Sequence, residues 1–135
     1  MPVKASRSAL PVGCAAALAT LEVIEREQLC ERSRRLGERA LGRMRELQAR
    51  HPLVAAVRGL GLLLGIELAH ADGTPARDAA ERAMYECLAR GLSFKVGQGN
   101  VLTLSPPLVI DDTDLDRAFD IIDAALTAVA VGARA

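Results

Sequence analysis

Apolar positions along the chain change period several times, and each change predicts an element. From Pro11 they recur at helical spacing through Cys14, Leu18, Leu21 and Ile24. The same spacing resumes through Leu29, Leu36, Ala40, Met44 and Leu47. A proline suits a first helical turn, where its missing N–H has no partner to lose, and His51-Pro52 stops the pattern. A long N-terminal helix is predicted, with a kink or short break near the polar Glu25-Arg26-Glu27-Gln28. Its other face carries Glu31 to Arg35 and Glu38-Arg39, a pattern that predicts a solvated surface.

The stretch Val57 to Leu68, V-R-G-L-G-L-L-L-G-I-E-L, is apolar or glycine without interruption from Gly59 to Ile66. It predicts one or two strands over 54–68, bent around Arg58-Gly59-Leu60-Gly61 and buried on both faces or nearly so. Ala71-Asp72-Gly73 reads as a turn, followed by Thr74 as N-cap and Pro75 as first helical residue. A second helix over 76–90 turns Ala80, Met84, Cys87 and Leu88 inward, and Gly91 closes it. Leu92–Val96 and Val101–Leu104 predict a hairpin around Gly97-Gln98-Gly99-Asn100. Past Pro106-Pro107, Asp111 or Asp112 caps a last helix with Leu115, Phe119, Ile122, Leu126 and Val129 on one face.

These elements predict an α+β fold: a small, mostly antiparallel sheet of three to four strands packed against helices. One domain covers 11–131, after a loose segment 1–10 and before a frayed tail 132–135. Of the 135 residues, 50% are hydrophobic but only 2% aromatic, so the core is built from Leu, Ala, Val and Ile. Lys+Arg and Asp+Glu both number 17, which removes any general pull towards nucleic acid or an anionic membrane. No run reaches the ~20 apolar residues of a membrane span.

Lys4 and Arg7 precede an apolar run that mimics an export signal. Pro11 interrupts it and the helical pattern continues into Glu22 and Glu25, which argues against that reading. Cys14, Cys30 and Cys87 are odd in number and far apart. They argue against a disulfide framework or a zinc site and fit packed, reduced thiols of a cytoplasmic protein.

Candidate chemistry is sparse. Gly59, Gly61 and Gly65 nearly match a dinucleotide fingerprint, but they lead into a strand rather than a helix N-terminus, so close backbone packing is the better reading. His51 and His70 have no nucleophile motif beside them. Asp111, Asp112, Asp114 and Asp116 lack the glycine and terminal Glu of a calcium loop and read as helix capping. Composition and spacing alone assign no catalytic residue and no metal ligand.

Three blocks carry a resemblance: P-V-G-C-A-A-A-L-A-T-L-E-V-I (Pro11 to Ile24), the Val57 to Leu68 stretch, and G-N-V-L-T-L-S-P-P-L-V-I (Gly99 to Ile110). In order and spacing they resemble the C-terminal small domain of class III aminotransferases, fold type I enzymes that use pyridoxal 5'-phosphate. The resemblance implies dimeric enzymes that move an amino group from an amine or amino acid to a keto acid. Their Schiff-base lysine and their aspartate for the pyridine nitrogen lie upstream of the first block. Neither Lys4 nor Lys95 stands in that lysine's context, so no catalytic residue is expected here and a large domain or a second copy is the expected partner.

Ser6 matches a threonine that binds the cofactor phosphate in the family, although Ala9 and Leu10 replace the usual glycine and asparagine. Thr103 stands where many members carry an arginine for the substrate carboxylate, and it cannot supply that charge. Lys95, on the neighbouring strand, is the nearest alternative cation, and Arg58 could reach the same cleft. The resemblance leaves three readings open. One is an aminotransferase. Another is a lyase of the same family acting on a phosphorylated or phosphonate amino compound. The third is a non-catalytic interaction module. An isolated small domain is also expected to expose apolar surface along Cys14 to Ile24.

Overall fold

The computed structural model describes residues 11–132. Helices α1 (Pro11–Arg26) and α2 (Leu29–Arg50) lead into strands β1 (Val54–Leu60) and β2 (Leu63–Leu68). Helix α3 (Arg77–Ala89), strands β3 (Lys95–Gly97) and β4 (Val101–Leu104), and helix α4 (Asp112–Gly132) follow. The strands form one sheet in the order β1-β2-β4-β3, antiparallel throughout. The fold is α+β, as the alternation of periods predicts.

The predicted long helix is two. Gln28 sits at φ 51, ψ 42, and this left-handed residue separates α1 from α2 at the polar stretch where a break is expected. The two helices have different fates. Helix α2 buries Leu29, Leu36, Gly37, Ala40, Met44 and Leu47, whereas α1 buries nothing. Val12, Leu18 and Leu21 of α1 stand exposed, as expected of the Cys14 to Ile24 stripe.

The glycine-rich stretch is a hairpin, not a strand buried on both faces. Leu62, Leu64, Ile66 and Leu68 are buried, while Leu60 and Leu63 are 87% and 63% exposed. The glycines have a packing role. A Cβ on Gly37 of α2 would lie 2.2 Å from the Gly61 carbonyl oxygen, so the helix touches the hairpin turn backbone to backbone. Gly61 has φ 54, and the neighbouring Leu62 N–H donates to Ser33 Oγ at 3.1 Å. An L side chain at either glycine would push the two elements apart.

Inside, Leu64, Ile66, Leu68, Leu102 and Leu104 meet Ala79, Ala80, Ala83 and Cys87 of α3 and Leu115, Phe119, Ile122 and Leu126 of α4 in one core. Asn100 is the buried polar residue of this layer; its Nδ2 donates to the Leu68 carbonyl at 2.9 Å, which ties β4 to the end of β2. Leu88 points outward instead, 52% exposed. Of the cysteines expected to pack, only Cys87 is buried, and burial pushes its thiol up to about 11; Cys14 and Cys30 are exposed.

Other local readings need correction. Thr74 does not cap α3. Its N–H and hydroxyl both donate to Asp72, and the helix opens after Ala76 without a side-chain cap. Strand β3 begins at Lys95 rather than Leu92, and Gln98 and Gly99, both at positive φ, make the hairpin turn. Helix α4 extends through Gly132, the first residue of the expected tail.

The charged face of α2 is more than a solvated surface. Arg35 and Arg39 reach Asp112, Arg39 and Arg43 reach Asp116, and Arg43 pairs with Asp120 at 2.7 Å. Arg50 and His51 both reach Asp123 at 2.6 Å. The Arg35 side chain holds the Asp112 carboxyl below the usual carboxylate range. Burial raises Asp123, but His51 and Arg50 together outweigh it and leave the group lowered. Helices α2 and α4 thus run parallel with a ladder of ion pairs between them. Asp112 and Asp116 of the acidic cluster join this ladder, and Asp112 and Asp114 lie in the first turn of α4.

Candidate functional site

The sheet register brings together residues far apart in sequence. Arg58 on β1 lies opposite Gly65 on β2, Gly65 opposite Thr103 on β4, and Thr103 opposite Lys95 on β3. Directly opposed residues share a face, so the three candidate substrate residues form one row across the sheet, with a glycine between them. The row faces away from the core, because its neighbours Leu64, Ile66, Leu102 and Leu104 are buried on the other side. Three strand spacings of ~4.8 Å put its ends about 14 Å apart.

The glycines keep this face low. A Cβ on Gly65 would touch Val101 Cγ1 at 3.4 Å, and one on Gly97 would press on Thr103 Oγ1 at 3.1 Å. The two cations at the ends of the row differ. Arg58 donates to Glu67 at 2.6 Å, which neutralises much of its charge towards a ligand. Lys95 makes no ion pair among the described residues.

Two cavities meet at Lys95. The larger, about 660 Å³, runs between α3 and β3 and is lined by Arg77, Asp78, Glu81, Met84, Phe94 and Gly99 among others. The smaller, about 300 Å³, opens where β3 ends and leaves the edge of β4 uncovered. At this edge of the sheet Ser93, Lys95, Thr103 and Ser105 line it together with core residues that include Leu64 and Phe119. Ser6 lies outside the described residues.

A family model described as aminotransferase class-III matches residues 8–126. The chain belongs to the class III aminotransferase family. It is 45% identical over 121 residues to the (R)-1-hydroxy-2-aminoethylphosphonate ammonia-lyase of Vibrio splendidus, covering 88% of this chain and 25% of the lyase. It is 45% identical to the isoleucine 2-epimerase of Lentilactobacillus buchneri over 90% of this chain and 28% of the epimerase. A solved Bacillus anthracis aminotransferase superposes with a TM-score of 0.81 at 36% identity, covering 87% of this chain and 28% of that one. This class III chain therefore spans only about a quarter of the length of the proteins it matches, and their names cover more than one reaction.

Complete class III enzymes use pyridoxal phosphate, and the residues described here do not fit that group by themselves. Lys95 is the one amine among them, and in the larger cavity it shares the walls with the carboxylates of Asp78 and Glu81. A cofactor phosphate there would meet two negative charges. Across the row the nearest carboxylate, Glu67, is already held by Arg58.

Sequence reasoning picked out Arg58, Thr103 and Lys95 but missed Ser93 and Ser105. Both lie just outside the paired strands, since β3 begins at Lys95 and β4 ends at Leu104, and no periodicity in the sequence marks them. It also missed the ladder, though arginines at 35, 39 and 43 and aspartates at 112, 116 and 120 repeat at the same helical step.

Proposed function

We propose that residues 11–131 are the small C-terminal domain of a pyridoxal-phosphate enzyme and that the outer face of the sheet forms one wall of its substrate cleft. The complete enzyme moves an amino group from an amine or amino acid to a keto acid, with the Schiff-base lysine contributed outside these residues. The row Arg58–Gly65–Thr103–Lys95 carries this reading, because it sets Thr103, which stands at the family's substrate-arginine position, beside the cations Lys95 and Arg58 on the outer face of the sheet. Threonine at position 103 favours substrates whose carboxylate is not gripped there. Exposed α1 supports a large domain or a second copy as partner.

A second reading has its own support. Lys95 and Thr103 share a cavity, and the 45%-identical Vibrio relative is named as an ammonia-lyase of a phosphonate. On that reading the complete enzyme eliminates ammonia from a phosphorylated or phosphonate amino compound.

Assay of the complete enzyme separates the two. Ammonia released from the amine without any keto acid marks the lyase; an absolute requirement for a keto acid marks the transferase. Thr103→Arg is expected to shift preference towards α-amino acids by at least tenfold in kcat/KM, since a bidentate guanidinium–carboxylate pair contributes roughly 1.5–3 kcal/mol. No change in that ratio would remove Thr103 from the substrate wall.

A further inference from the structure

Two glycines of the β1–β2 hairpin are required by the fold. A Cβ on Gly59 would fall 2.6 Å from Leu64 Cδ2 and 2.8 Å from the Leu63 carbonyl oxygen, and Gly61 has its positive φ and its contact with α2. Gly65 is different. It lies in the middle of β2, paired to Arg58 on one side and to Thr103 on the other. Its backbone is outside the left-handed region. The irregularity of the β1–β2 pairing falls between Val54 and Ala56, so Gly65 marks no bulge. A Cβ there would meet Val101 Cγ1 at 3.4 Å and Arg58 Cγ at 3.8 Å, both ordinary contacts. The fold has room for alanine at this position and gains nothing from glycine, which weakens a strand interior. With a bulge, a special φ and tight internal packing set aside, the remaining reason for such a glycine is close approach of a ligand to the peptide.

The missing side chain leaves a notch in the outer face. The atoms nearest to it are hydrocarbon, a methyl of Val101 and the stem of Arg58. The Arg58 head is drawn to Glu67 at 2.6 Å, so its charge is already matched. Arg58 and Thr103 stand two strand spacings apart, about 10 Å at the backbone. The middle of the row is therefore neutral and low, between taller neighbours.

We propose that Gly65 sets the size limit of the substrate cleft. The uncharged side group on the amine-bearing carbon of the substrate lies over the Gly65 peptide, between Val101 and Arg58, and a side chain at position 65 would take its place. This rests on the small-domain reading above and adds to it the residue that selects for size and the class of group admitted, an apolar one as broad as a phenyl ring. Gly65 makes no bond to the reacting atoms; it acts by leaving space.

Two measurements test this. In thermal melts of the 135-residue chain, Gly65→Ala is expected to have the parent Tm or a higher one, because the methyl fits. A lower Tm would make the glycine structural and overturn the proposal. In the complete enzyme, ethylamine and benzylamine are compared as amino donors with pyruvate as acceptor. The parent is expected to use both. The ratio of kcat/KM for benzylamine to that for ethylamine is expected to fall about tenfold in Gly65→Ala and about a hundredfold in Gly65→Val, since one methylene in an apolar pocket shifts selectivity by roughly 10–200-fold. The parent ratio in both variants would overturn the size limit, as would a parent enzyme that rejects benzylamine. Thr103→Arg, assayed alongside on alanine, separates the two levels. If it raises preference for the amino acid while the Gly65 variants keep the parent ratio, the outer face remains the cleft wall and only the size limit is lost. If neither position alters selectivity, the cleft wall fails and the proposal with it.

Discussion

The two faces of the sheet follow the same alternation and have opposite chemistry. Leu64, Ile66, Leu102 and Leu104 are closed over by three helices and exclude water. Gly65, Thr103 and Lys95, one residue out of step with them, are left to whatever lies outside the chain. The inner face holds the domain together and the outer face is free to specify a ligand. A substitution should therefore be read by its parity along the strand before its chemistry is considered.

The hardest way to break the inner face is to empty it. Phe119→Ala is expected to cost ~3–5 kcal/mol, read as a lower urea midpoint, because Phe119 is 1% exposed and its cavity is walled by both sheet and helix. A loss under ~1 kcal/mol would mean that the core is loosely packed. Gly37→Ala comes next. Helix propensity alone would favour alanine by ~1 kcal/mol. The 2.2 Å approach to the Gly61 oxygen outweighs it, so a net loss of ~1–3 kcal/mol is expected in the same measurement. A stabilised variant would show that the helix and turn can part without cost.

The ladder between α2 and α4 tests the rim of the packed side. Asp123 has a lowered folded pKa, so its stabilisation is complete above the unfolded carboxylate value of ~3.9 and is lost as pH falls through the folded value. Asp123→Asn should cost about 1 kcal/mol at pH 7 and flatten the fall in Tm below pH ~4. An unchanged acid profile would remove Asp123 from the account. At the outer face, Thr103→Val and Lys95→Met should leave stability within ~0.5 kcal/mol, and thermal melts check this. A large loss from either would give the outer row a structural role and blur the contrast between the faces.

Much of the fold was legible because burial imposes its period on sequence. Leu115, Phe119, Ile122, Leu126 and Val129 declare one helix face, and all five are buried. The pattern overreached where a helix had a stripe but no cover. Nothing in the spacing of Leu18 and Leu21 distinguishes them from Leu36 and Met44, yet the first pair is exposed and the second sealed. The hairpin misled in the same way, since a run of leucines has no parity and only the turn at Gly61 decides which of them face inward.

Local periodicity, the prolines and the glycines were enough to decide element types, the α+β class and the family likeness, since each depends on neighbours a few residues apart. Tertiary structure alone decided that Arg58, Thr103 and Lys95 form a row and that arginines of α2 meet aspartates of α4. Those relations are set by strand register and helix packing across separations of as much as 77 residues. At that distance along the chain no local propensity constrains which side chains meet, and only the packed core brings them together.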